Sequence, residues 1–140
     1  MIYLYYGENS FLIREKLAKI KESYETKFKS GLNFFRFDLE ENCDELKSAI
    51  ESQSMFSEKK LIFVRGVLLA PEVKFDEIKE LFAKNKFISK SDDVILVLYD
   101  IIGQLKESIK KRLSFLKTLG DVKEFKNFNK LQLTDWCLKN

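Results

Sequence analysis

Apolar and polar positions alternate along this chain in short blocks whose period changes. "IYLYY" at residues 2–6 is a β-branched and aromatic run that reads as a strand. "GENS" breaks it, and Asn9 or Ser10 supplies a helix cap. Ile13, Leu17, Ile20, Tyr24 and Phe28 then recur every three or four residues, one face of a helix that stops near Gly31. "FFRFDL" at 34–39 predicts a second strand. Asn42 and Glu45 make a capping-box-like start for a short helix facing inward through Leu46, Ala49 and Ile50. "LIFV" at 61–64 is a third strand, apolar throughout and therefore central. Pro71 precedes or opens a third helix carrying Phe75, Ile78, Leu81 and Phe82. The unbroken run at 94–99 needs cover on both faces and reads as the strongest strand. Leu105, Ile109, Leu113 and Leu116 give a further helical stripe closed by Gly120. "VKEF" at 122–125 is a weaker, edge-like fifth strand, and "LQLTDWCLKN" opens a last helix.

Strands that alternate with helices fold most economically as an α/β unit. The expected form is three layers: a five-stranded parallel sheet, helices on both faces, and right-handed crossovers. No internal repeat, low-complexity stretch or interdomain linker interrupts the pattern.

Composition narrows the chemistry. With 140 residues, 45% of them hydrophobic, the chain suits one domain with a real core. Its 25 basic and 22 acidic residues leave a net charge of +3, too little to imply nucleic acid unaided. The two signs are also interleaved, as in "REKLAKIKESYE". Histidine is absent, which removes Ser–His–Asp catalysis, zinc–imidazole sites and histidine acid–base chemistry. Cys43 and Cys137 have no metal-type spacing and read as two free thiols. No apolar run reaches transmembrane length, so a cytoplasmic protein with no membrane partner is expected.

The natural phosphate site of such a fold is its first β–α turn. A working phosphate loop needs G-x-x-x-x-G-K-[ST], in which backbone N–H groups wrap the phosphates and Lys neutralises them. "YGENSFLIREK" has Gly7 but lacks the second glycine, the Lys and the hydroxyl, and Glu8 would repel a phosphate. G-x-G-x-x-G is absent as well. A metal-binding acid after "LIFV" is replaced by Arg65 and Gly66. Asp92 and Asp93 precede the fourth strand, at the wrong end for phosphotransfer. Asp100, just after that strand, reads as a helix cap or turn residue. No catalytic, cofactor-binding or metal-binding residue emerges. The reading is a non-enzymatic scaffold or interaction domain without cofactor.

Six stretches carry a resemblance: "IYLYYGENSFLIREKL", "FFRFDLEE", "ESQSMFSEKKLIFVRG", "DDVILVLYD", "FLKTLGDVKEFKNF" and "LQLTDW". In this order, over nearly the whole chain, they resemble the N-terminal domain of the delta subunit of bacterial DNA polymerase III, the clamp-loader family. The resemblance implies an AAA+-like core, residues 1–128, that has lost its ATP site, with strand order 5-1-4-3-2. Residues 129–140 would then start a helix leading to a helical domain beyond this sequence. The implied role is to bind the sliding clamp and help open it in DNA replication. ATP would act elsewhere in the loader. The other loader subunits would be reached through domains not in this sequence, and DNA only indirectly or weakly.

The family grips the clamp through an apolar pair at the end of the helix before the third strand. Here the pair falls on Met55 and Phe56, with Glu51, Gln53, Ser54, Ser57 and Lys59 as candidate rim. The Gln that opens such motifs falls on Glu51, with Gln53 two residues on. Patterning alone reads Met55 and Phe56 as a plug packed below Leu61; the resemblance implies a partner contact instead. Lys60 reads as a solvated lead-in to the strand. A second class of function stays open, a basic-faced nucleic-acid-binding module. It would use Lys19, Lys21, Lys27 and Lys29 on one helix and Lys106, Lys110, Lys111 and Arg112 on another, although their acidic neighbours favour solvated faces.

Overall fold

The computed structural model describes residues 1–41, 44–53, 58–91 and 93–127. Within them lie five strands: β1 (Ile2–Gly7), β2 (Phe34–Asp38), β3 (Lys60–Arg65), β4 (Val94–Ile101) and β5 (Asp121–Glu124). Four α-helices connect them: α1 (Ser10–Lys27), α2 (Asp44–Glu51), α3 (Glu72–Lys84) and α4 (Glu107–Lys117). All neighbouring strands pair in parallel, in the order β2-β3-β4-β1-β5. This is the expected sheet, with β3, β4 and β1 interior and β2 and β5 at its edges.

Topology decides which face each helix covers. The step from β1 to β2 crosses to the far edge, and every later step runs back the other way. Right-handed crossovers therefore put α1 on one face and α2, α3 and α4 on the other. The side chains follow with period two. Ile62, Val64, Leu96 and Leu98 join Leu46, Ile50, Phe75, Ile78, Leu113 and Leu116 beneath the three helices. Leu61, Phe63 and Val97 point the opposite way, toward Ile13, Leu17 and Tyr24 of α1.

Local signals set the ends. The Asn9 side chain accepts a hydrogen bond from the Leu12 N–H and caps α1. Phe28 lies just beyond the helix, its N–H still donating to Tyr24 O at 2.8 Å. Pro71 occupies the N-cap position of α3. Leu105 falls outside α4, because Lys106 at its N-cap is extended (φ −73°, ψ 161°). The anticipated cap Asn42 lies outside the described residues, as do Cys43, Asp92, Cys137 and the whole of 128–140.

Arg112 corrects one expectation. It is not on an outer face of α4 but stands on the side of Ile109 and Leu116, three and four residues away. Its Nη1 donates to Val67 O, Leu68 O and Ala70 O at 3.1, 3.0 and 2.7 Å, and its guanidinium stacks 4.5 Å from the Phe75 ring centre. The cation thus satisfies the carbonyls of the connection between β3 and α3. Arg112→Met, which keeps the length and removes the donors, is expected to lower stability by about 1–3 kcal/mol. A urea-denaturation midpoint equal to wild type would refute this role.

Candidate functional site

The sheet offers two ends. At the C-terminal end of β1, the turn that would cradle a phosphate is filled by the protein's own backbone. Phe125 N donates to Tyr6 O at 2.7 Å, and Asn9 N donates to Phe125 O at 3.1 Å. The Asn9 amide group adds a bond to Lys126 O at 3.3 Å, and Asn127 N donates to Glu8 Oε1 at 3.3 Å. Gly7 has φ +140°, and a Cβ there would stand 2.1 Å from Phe125 O. This glycine serves a close passage of two backbones rather than a phosphate. Arg14 is exposed, one turn further along α1.

The same end carries Asp100, Arg65 and Asp38. Asp100 is not a cap or a turn residue. It lies inside β4, 2% exposed, and its Oδ2 accepts the Leu68 N–H at 2.8 Å. Burial pushes its carboxyl up from 3.8 to about 6, against the stabilising N–H groups of Leu68 and Gly66 and the nearby Arg65. Asp38 Oδ1 accepts the Glu40 N–H at 3.0 Å, and Lys74 Nζ donates to Leu39 O and Glu41 O at 2.6 and 3.1 Å. These polar groups fasten loops to one another. Among the described residues no cluster of three or more His, Cys, Asp or Glu could hold a metal. Nor is any described helix long and apolar enough to cross a membrane.

The opposite end holds the connection from α2 to β3. Met55 and Phe56, with the rim candidates Ser54 and Ser57, lie outside the described residues. Their flanks are described. Glu51 and Gln53 are exposed, and Glu51 Oε1 accepts from Asn85 Nδ2 at 3.1 Å. Lys59 is half-buried, and its carbonyl accepts the Tyr24 hydroxyl at 2.5 Å. Glu58 Oε2 accepts from Ser30 Oγ at 2.6 Å and from Asn33 Nδ2 at 3.2 Å.

Lys60 overturns the expectation of a solvated lead-in. It is the first residue of β3, only 3% exposed. Strand parity explains why: Lys60 shares a face with Ile62 and Val64, so its stem points under α2. Its ammonium donates to Ala49 O at 2.9 Å, to Ile50 O at 3.4 Å and to Ser52 O. Burial lowers its pKa. Sequence reasoning missed this residue, although one signal was present. The last turn of α2 has no basic residue, and no glycine follows it, so its carbonyls need a partner from elsewhere.

The basic faces are largely answered by acids. Lys19 pairs with Glu15 at 3.1 Å, Lys21 with Glu25 at 3.6 Å and Lys110 with Glu107 at 3.6 Å, all within one helix. Exposed pairs of this kind are solvated faces worth little. Lys27, Lys29, Lys106 and Lys111 are exposed.

Asp100 gives a pH prediction. Its folded pKa lies above its ordinary value, so the folded state holds the proton more tightly. The resulting stability is fully present below about pH 4 and is lost as pH rises through about 6. Asp100→Asn keeps an oxygen for the Leu68 N–H and cannot ionise. Its stability relative to wild type should grow by up to about 3 kcal/mol between pH 4 and pH 7. Urea denaturation at both pH values reads this, and a pH-independent difference would refute it.

Three comparisons bear on what this arrangement is. No curated protein matches the sequence. Among solved structures, the chain resembles the DNA clamp loader delta protein (YqeN) of Bacillus subtilis, with a TM-score of 0.72 and 21% identity. That match covers 99% of this chain and 42% of the other, so the chain spans well under half of that protein; at this identity it shows the fold. The family described as DNA polymerase III, delta subunit, matches residues 3–126, nearly all of the described fold. The chain belongs to the DNA polymerase III delta subunit family.

Proposed function

We propose that this chain is the clamp-gripping domain of a clamp-loader delta subunit, acting in DNA replication by binding and not by catalysis. The observation that carries the reading is the family match over residues 3–126. It is supported by the place of Met55 and Phe56 in the sequence, between α2 and β3. The two apolar side chains enter a hydrophobic pocket of the bacterial sliding clamp. Glu51, Gln53, Ser54, Ser57 and Lys59 form a polar rim around them. Burying a Met or Phe side chain contributes roughly 1.5–3 kcal/mol, so two adjacent anchors make a compact hot spot.

The domain acts by differential affinity. It stabilises an opened or distorted clamp more than a closed one, and the clamp's equilibrium shifts accordingly. No hydrolysis is needed in this domain. Asn9 N–H, which a phosphate would need, is already spent on Phe125 O. ATP acts elsewhere in the loader, hiding or exposing the grip. Residues 129–140 lead toward a helical domain, through which the other loader subunits are reached.

Met55→Ala with Phe56→Ala is expected to weaken binding to the bacterial sliding clamp by at least about 100-fold. Calorimetric titration of the clamp with the wild-type and double-alanine chains measures this. Equal affinity, with the circular dichroism spectrum unchanged, would remove the proposal.

A further inference from the structure

We propose that Lys60 is a positioning residue for the clamp anchor: its buried ammonium fixes the end of α2 from which Met55 and Phe56 are presented. This rests on the clamp-gripping reading above, and it adds a residue that touches no partner itself.

The ammonium's acceptors all belong to one short piece of chain. Nζ lies 2.9 Å from Ala49 O, 3.4 Å from Ile50 O and 3.3 Å from Ser52 Oγ, and it also bonds Ser52 O. A helix end leaves its last carbonyls without partners, and their combined dipole favours a cation there. The last turn of α2 supplies no such cation. Lys60 supplies it from another element, across the layer between helix and sheet.

Core packing does not require this choice. Lys60 sits on the strand face that Ile62 and Val64 fill with hydrocarbon. A Met of similar length would fill the same slot without the cost of desolvating a charge. What the lysine adds is a set of bonds to residues 49, 50 and 52, immediately before the anchor.

The other flank is held as firmly. Glu58 accepts from Ser30 and Asn33, Lys59 O accepts from Tyr24, and Lys60 N donates to Asp93 O at 2.9 Å. On the first flank, Glu51 is also bonded by Asn85. The described chain on both sides of residues 54–57 is therefore fastened: to Tyr24 of α1, to Ser30 and Asn33 before β2, to Asn85 just after α3 and to Asp93 just before β4. A short segment with both ends fixed has fewer conformations to lose on binding, so affinity rises without a new contact.

The test is a double-mutant cycle read as affinity for the bacterial sliding clamp. It compares Lys60→Met with the Met55→Ala, Phe56→Ala pair, at a temperature where near-ultraviolet circular dichroism shows each variant folded. Lys60→Met alone should weaken binding about tenfold. Added to the alanine pair it should cost less than about twofold, because no anchor remains to be positioned. Lys60→Arg, which keeps a cation within reach of the carbonyls, should return to within about threefold of wild type. A purely structural role would move melting temperature and leave the affinity of folded protein unchanged. Wild-type affinity in folded Lys60→Met, with the alanine pair still impaired, overturns this inference and spares the functional reading. Wild-type affinity in the alanine pair overturns both. Should Lys60→Met fail to fold, Ser52→Ala decides the matter, since it removes an exposed acceptor of the Lys60 ammonium without touching the core. A loss of about threefold upholds the inference, and unchanged affinity overturns it.

Discussion

All five strands run the same way, and the three inner ones, β3, β4 and β1, are largely buried on both faces. That constraint governs the rest of the molecule. Parallel neighbours cannot be joined by hairpins, so each connection crosses the sheet through a helix. The C-terminal ends of the strands gather at one edge and those of the helices at the other. Backbone groups stranded in these crossings need partners, because water does not reach them. The protein meets the need with side-chain charges turned inward. Arg112 serves the carbonyls after β3, Lys74 those after β2, and Lys60 those that end α2. Asp100 does the converse and accepts an N–H.

This use of charge changes what the basic residues mean. Counted along the chain they suggest two cationic helix faces. In space Arg112 is committed to three carbonyls, and Lys19, Lys21 and Lys110 lie beside carboxylates of their own helices. Lys27, Lys29, Lys106 and Lys111 stay exposed. Several of the charges here close loops instead of facing outward.

The strands and the helical faces were legible in the sequence because they rest on local periodicity, whereas the order of the strands came from the family resemblance. Val97 and Leu98 alternate between two cores as a strand must, and Phe75, Ile78 and Phe82 recur as a helix must. What escaped were residues whose partners lie far along the chain. Lys59 and Lys60 look alike in the sequence, yet one step along a strand sends their side chains to opposite faces. Extending the parity of Ile62 and Val64 back by one position would have turned Lys60 inward. Extending the face of Ile109 and Leu116 would have done the same for Arg112. Asp100 was harder, since nothing nearby announces the Leu68 N–H, 32 residues away. The pair Met55 and Phe56 was marked by the resemblance, whereas patterning alone assigned it to the core.

The separation of the two sheet ends explains how a fold of this shape can lose one use and carry another. The first β–α turn and the start of β3 stand at opposite edges of parallel strands, about 20 Å apart for a six-residue strand. Closing the turn with Phe125, Asn9 and Asn127 consumes donors at one edge and leaves the other unaltered. It also ties the end of β5 to β1 and to the start of α1. At the far edge the requirements are different. An anchor needs two apolar side chains and rigid flanks, and it needs no preorganised dipoles. In the proposal above, Lys60 of β3, Glu58 before it and Asn85 just after α3 supply that rigidity. On the proposed reading, a parallel sheet whose first turn is closed by its own backbone serves as a stiff mount for a contact made at its other end.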